Sequence, residues 1–208
     1  MTLYEHGNFG GAALRLSGVE IEQSVANNIN WNDRVSSYKI ADNVKLTLCK
    51  HGNCDNDANN DNVSEAFGPL EVGWVGKQND QYSTVIIEPF KGGAVALFED
   101  IGCNGNSRVA YHGDYPFAAF TKLMTNDKLS GIIVAKDTTA YLYQHGNYAG
   151  WAKTIVGPAK HCDLTKLAGT KNDDASSMKV RAKNGAHELK GQKIEIVLYQ
   201  LDQALISR

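Results

Sequence analysis

Short runs in which apolar and polar residues take turns recur along this chain. VKLTLCK at 44–50 and AVALFED at 94–100 are examples, and SYKIA, TVIIE, GIIVA and SMKVR read as further short strands. A period of two over four to eight residues reads as a half-buried β-strand. Helical periodicity is scarce; VEIEQSVAN at 19–27 carries enough of it for a turn or two. The pattern therefore predicts an all-β protein.

The strands are organised by repeats. NDRVSS at 32–37, NDQYST at 79–84, NDKLSG at 126–131 and NDDASS at 172–177 begin 47, 47 and 46 residues apart. Upstream of each lies a second phrase, an aromatic, four residues, an aromatic, one residue, and glycine. Tyr4, Phe9 and Gly11 form the first copy, and Tyr143, Tyr148 and Gly150 repeat its spacing. Phe98, Cys103 and Gly105 keep the spacing with one aromatic replaced, while Cys49, Cys54 and Asn56 replace all three residues. An intervening HGN supplies residues tolerant of positive φ for a tight turn, and the glycine permits a bent backbone. Each unit thus reads as a strand, a folded-over hairpin and a return strand, which is a Greek key. The hairpins start 45, 49 and 45 residues apart, and the wider middle gap contains EPFKGGA at 88–94. That places one domain at 1–90 (motifs 2–41 and 44–90) and a second at 91–183 (motifs 94–136 and 138–182). Residues 184–208 are left as a C-terminal extension.

Composition narrows the function. The 208 residues are 42% hydrophobic and 21% charged, with a net charge of -2 and mixed signs. A nucleic-acid binder would show a basic excess or stripe. No apolar run reaches the ~18 residues of a membrane span. The opening MTLYEHG shows no basic leader with an apolar core, which leaves secretion open. No serine or cysteine sits in a nucleophile context such as G-x-S-x-G.

The paired phrases resemble those of the βγ-crystallin superfamily, specifically its calcium-binding microbial and invertebrate branch. The resemblance spans about residues 2–182, and four pairs in register carry it. It implies two β-sandwich domains, each of two intercalated Greek keys, and no catalytic activity. The chain departs from the pattern in the lost aromatics of units two and three and in Gly131, where serine or threonine is expected. The hydroxyl at the fifth hexapeptide position is intact throughout, at Ser36, Ser83, Ser130 and Ser176.

Calcium takes six to eight hard oxygens, mixing carboxylate, carbonyl, hydroxyl and water. The resemblance implies such a set for each hexapeptide. The third residue (Arg34, Gln81, Lys128 or Asp174) gives a carbonyl and the serine gives its hydroxyl. The residue after the first hairpin aromatic gives another carbonyl, from Glu5, Lys50, Glu99 or Gln144. The second residue (Asp33, Asp80, Asp127 or Asp173) gives a carboxylate to the site built by the paired unit. One carboxylate per ion argues for dissociation constants on the order of 10⁻⁵–10⁻⁴ M. The competing reading is that Asn-Asp and Ser-Ser merely form good turns.

Other features weigh less. DNDANNDNVSEA at 55–66 has EF-hand-like spacings, but Asn60 and Ala66 replace the turn glycine and the bidentate glutamate, so it reads as a solvated loop. Asn62-Val63-Ser64 is a glycosylation sequon, meaningful only on a secreted protein. His6, His51 and His145 recur with the HGN turn and fit no zinc spacing. Trp31, Trp74 and Trp151 read as core or domain-interface aromatics. Cys49 and Cys54 stand where other hairpins place a contacting pair, either as a disulfide or as two buried thiols. The tail, KIEIVLYQLDQALISR, reads as an added strand or helix packed on the second domain. The leading functional expectation is a non-enzymatic calcium-binding structural protein that calcium stabilises or assembles. The alternative is a lectin-like or adhesion module, self-associating or holding a glycan or protein partner through surface loops such as 53–72.

Overall fold

The alternating runs are strands in a computed structural model of the chain, which describes residues 1–16, 31–51, 54, 62–183 and 194–197. The helical turns expected in 19–27 and the turn at the centre of the 55–66 segment lie outside the described residues. Backbone packing divides the chain into two units, Met1–Phe90 with Gly191–Arg208, and Lys91–Lys190.

The first unit contains β1 (Thr2–His6), β2 (Gly10–Arg15), β3 (Ser37–Ile40), β4 (Val44–Cys49), β5 (Val63–Phe67), β6 (Leu70–Val72) and β7 (Thr84–Pro89). Its sheets run β2-β1-β3-β6 and β16-β7-β4-β5, where β16 is Ile194–Val197. The second unit contains β8 (Ala94–Asp100), β9 (Asn104–Tyr111), β10 (Gly113–Tyr115), β11 (Gly131–Val134), β12 (Thr138–His145), β13 (Ala149–Val156), β14 (Ala159–His161) and β15 (Ser177–Ala182). Its sheets run β14-β11-β8-β9 and β10-β15-β12-β13, and a short helix, α1 (Phe117–Phe120), follows β10. The units share one logic. Each sheet takes three strands from one repeat and a fourth from elsewhere, so β14 and β10 exchange places between the two repeats of the second unit. Two intercalated Greek keys result.

Inward positions fill each core. Leu3, Leu14, Trp31, Leu48, Tyr82 and Val85 are fully buried in the first unit, and Val95, Leu97, Leu129, Leu142, Met178 and Val180 in the second. Tyr82 keeps its hydroxyl satisfied by a 2.8 Å hydrogen bond with Ser64 Oγ.

Four sequence expectations need correction. Strands β8 and β4 are buried on both faces, from Ala94 to Phe98 and from Leu46 to Cys49, not half-buried; in β8 alanines take the alternate positions and no polar side chain interrupts them. The segment at 53–72 is not all loop: 63–67 form β5, paired with β4, and 70–72 form β6, paired with β3. Trp74 is 46% exposed, while Trp31 is buried as expected. The tail contributes a strand to the first unit, where 194–197 pair antiparallel with β7. The backbone edge of β7 decides that docking, and an alternation of apolar residues does not specify which edge it will meet.

Candidate metal centre

The four hexapeptides fold into the same bend. Asp33, Asp80, Asp127 and Asp173 all adopt left-handed backbone, with φ of 55, 54, 55 and 53°. Aspartate tolerates that region because its short polar side chain bonds locally. The preceding asparagine supplies such a bond, Nδ2 of Asn32, Asn79 and Asn126 donating to the next aspartate at 2.7, 2.6 and 2.7 Å. The fourth residue anchors each bend in the core; Val35, Tyr82, Leu129 and Ala175 are all fully buried. The aspartates remain exposed and the fifth-position serines are buried, so each bend sets a surface carboxylate beside interior hydroxyls.

The serine backbone ties each bend to its own hairpin. The N–H groups of Ser36, Ser83, Ser130 and Ser176 donate to the carbonyls of Tyr4, Cys49, Phe98 and Tyr143 at 3.0, 2.8, 3.0 and 3.1 Å. Each acceptor immediately precedes an expected carbonyl donor: Glu5, Lys50, Glu99 or Gln144. In three hairpins the strand register shifts at this residue, between Tyr4 and His6, Phe98 and Asp100, and Tyr143 and His145. Such a bulge takes one residue out of the ladder and re-aims its groups. In these three copies the serine thus stands beside the bulged residue.

The carboxylate comes from the other repeat. Ser36 Oγ lies 2.6 Å from Glu5 O and 3.2 Å from Asp80 Oδ1. Ser130 Oγ lies 3.0 Å from Asp173 Oδ1. The backbones interlock as well: Asp33 N–H donates to Tyr82 O at 3.0 Å, Asp80 N–H to Val35 O at 3.4 Å, and Asp173 N–H to Leu129 O at 3.2 Å. Asp33 therefore sits against the segment carrying Gln81 and Ser83.

Side chains of the third residues adjust the charge. Arg34 pairs with Glu5 through Nε at 3.1 Å and through Nη2, and this partner holds the Glu5 carboxyl below the usual range, helped by Ala12 N–H. The cationic Arg34 is thus compensated at its own site. In the fourth bend the polarity reverses, and Asp174 accepts from Gln144 Nε2 at 3.1 Å and Trp151 Nε1 at 3.0 Å. Gln81 turns away, donating to Lys77 O at 2.9 Å.

The hairpins supporting these bends follow the sequence. Tyr4 and Phe9 meet edge to face at 5.5 Å, Tyr143 and Tyr148 at 5.4 Å, with Lys39 and Lys179 over the outer rings. The sixth-position serine staples each of these hairpins: Ser37 Oγ donates to His6 O and accepts from Phe9 N–H, as Ser177 does with His145 and Tyr148. In the HGN turns, a Cβ on Gly7 would come within 3.1 Å of the Trp74 ring and one on Gly146 within 2.9 Å of Phe117 Cβ. The histidines are exposed, His6 and His145 as the last residues of β1 and β12.

Disulfides stand where aromatics are missing. Cys49 and Cys54 are bonded across the second hairpin. Cys103 is bonded to Cys162, a link between the third and fourth repeats that the repeat comparison did not foresee. The readable signal was Gly131. A Cβ there would sit 3.4 Å from Cys103 Sγ and 3.5 Å from Cys162 Cα, so the disulfide packs against the place of the usual hydroxyl residue.

The oxygens at these bends suit a hard cation. At Ser36 a hydroxyl, a carbonyl and a carboxylate converge with one hydroxyl proton among them, a mutual repulsion that a cation relieves. Oδ1 of Asn79, Asn126 and Asn172 is buried without a hydrogen-bond donor, which leaves hard acceptors at three of the bends. Among the described residues no group of three or more His, Cys, Asp or Glu gathers. A centre here must therefore rely on carbonyls and hydroxyls beside one carboxylate, a set calcium accepts.

No family model and no curated protein matches the chain. Among solved structures it is similar to one from work on the evolution of the eye lens βγ-crystallin domain fold, at 25% identity over 45% of this chain and 89% of that one, with a TM-score of 0.40. It is likewise similar to a βγ-crystallin domain from Flavobacterium johnsoniae, at 29% identity over 44% and 96%, TM-score 0.38. A third is a βγ-crystallin domain from Clostridium beijerinckii, at 25% identity over 43% and 99%, TM-score 0.38. Each of these matches covers less than half of this chain and nearly the whole of the other.

Proposed function

We propose that this is a non-enzymatic structural protein whose crystallin-like domains bind calcium between paired repeats and are stabilised by it. The observation that carries the reading is the convergence of Glu5 O, Ser36 Oγ and Asp80 Oδ1. In this reading Glu5, Arg34, Ser36 and Asp80 hold one ion, and Lys50, Gln81, Ser83 and Asp33 hold its partner in the first unit. Glu99, Lys128, Ser130 and Asp173, then Gln144, Asp174, Ser176 and Asp127, form the corresponding pair in the second. Each ion would join two repeats, because its carboxylate and its hydroxyl belong to different Greek keys.

Such a cross-link acts on stability. An ion that binds only the folded state contributes RT ln(1 + [L]/Kd), about 2.7 kcal/mol per site at a hundredfold excess. Melting the protein in calcium, in magnesium and in chelator tests the proposal. Calcium raises the transition by several degrees, and magnesium does much less because it demands a tighter octahedral shell. Superimposable melts in calcium and chelator would reduce the hexapeptides to turns.

A further inference from the structure

Among the described residues, the sheets of the two units match strand for strand except at one place. In the second unit, β10 from the third repeat lies beside β15, the last strand of the fourth repeat. The equivalent neighbour of β7, the last strand of the second repeat, is β16, from the far end of the chain. Ile194, Glu195, Ile196 and Val197 stand opposite Ile87, Ile86, Val85 and Thr84. A segment more than one hundred residues away in sequence thus fills a place that the second unit fills from within.

Over Thr84–Ile87, before Glu88 and Pro89 close the strand, β7 is not built as an edge. Natural edges carry lysine, proline or charge that discourages further pairing. The counterpart strand β15 carries Lys179 and Arg181 at alternate positions, and both are partly exposed. In β7, Ile86 occupies the position of Lys179, while Glu88 keeps a charge at that of Arg181, and Thr84 to Ile87 are all buried. Without β16 this strand would offer a row of backbone donors and acceptors flanked by valine and isoleucine, which is the chemistry of a strand-accepting groove.

We infer that the β7 edge is a strand-acceptor site specific for the segment IEIV, and that it takes this segment in trans from a second copy of the chain as well as in cis. The acceptor lies in the first unit, and the donor strand follows the last strand of the second, through 183–193. Exchange of an identical element between copies forms no new type of contact, so it is a low-cost route to a dimer. This inference rests on strand pairing and is independent of calcium.

The test uses a fluorescent synthetic peptide of residues 190–200 and the chain ending at Lys190. The expected result is saturable one-to-one binding to the shortened chain, seen by anisotropy, and at least tenfold weaker binding to the full chain. In the full chain the tethered segment competes at an effective concentration on the order of millimolar. Absence of binding to a folded shortened chain, or equal binding to both chains, overturns the inference. If the shortened chain does not fold, the full chain with Glu195→Pro and Ile196→Pro replaces it. Adjacent residues of an antiparallel strand alternate in facing the partner, so one of the two prolines must disrupt the pairing. Hydrogen exchange at 84–87 should then rise at least tenfold, and the added peptide should restore protection. Unchanged exchange at 84–87, or no rescue, overturns it.

Discussion

Ser130 Oγ donates to Asp173 Oδ1 across 3.0 Å, although 43 residues of sequence separate them and they belong to different Greek keys. The same relation holds between Ser36 and Asp80 at 3.2 Å. A carboxylate therefore works away from its own repeat, and its removal should be felt there.

Asp173→Ala is expected to remove part of the calcium-induced rise in melting temperature of the second unit and to spare the first. Asp80→Ala, acting at Ser36, and Asp33→Ala, acting at Ser83, should do the reverse. Scanning calorimetry in calcium and in chelator separates the cases. Equal losses in both units from any one substitution would contradict the pairing.

Much of this was legible because it repeats. The spacing of Tyr4, Phe9 and Gly11 against Asn32, and its recurrence, specified the hairpins and bends, and the family resemblance they carry implied the pairings found for Ser36 with Asp80 and Ser130 with Asp173. What stayed hidden depends on partners distant in sequence. The Cys103–Cys162 bond crosses repeats, and periodicity reports which face a residue takes, not what lies opposite. For the same reason the tail read as a strand or helix without an address, and β8 read as half-buried although its alanines let both faces close.

The two disulfides should differ in worth. Chain-entropy reasoning gives about 4 kcal/mol for a loop of the Cys103–Cys162 size and about 2 kcal/mol for the Cys49–Cys54 size. Urea unfolding of Cys103→Ala with Cys162→Ala, beside Cys49→Ala with Cys54→Ala, checks the ranking. Intact mass after alkylation without reductant should show no modified thiol in protein from an oxidising compartment.

Glu5 gives the stability an acid limb. Its carboxyl titrates below its ordinary value because Arg34, and then Ala12 N–H, favour the charged form. The unfolded chain binds this proton at higher pH than the folded one, so the contribution is present above the ordinary glutamate value. It is lost as pH falls through the lower folded value. Glu5→Gln should lower stability at neutral pH and flatten the decline as pH falls below the ordinary glutamate value in denaturant titrations.

Gly150→Ala should destabilise more than Gly169→Ala. Both residues have positive φ, 76° and 82°, a backbone cost of about 1–2 kcal/mol for alanine. The new Cβ at 150 would also meet Gln144 Cβ at 2.6 Å, whereas nothing lies within 4 Å at 169. Thermal or urea unfolding of the two variants should separate the clash from the backbone strain.

Calorimetric titration of the chelator-treated protein with calcium tests the central claim most directly. The account predicts saturable heat with more than one ion per chain, at dissociation constants on the order of 10⁻⁵–10⁻⁴ M. Asp80→Ala with Asp173→Ala should bind fewer ions by two. No heat from the unsubstituted protein, or an unchanged stoichiometry in the double variant, would contradict it.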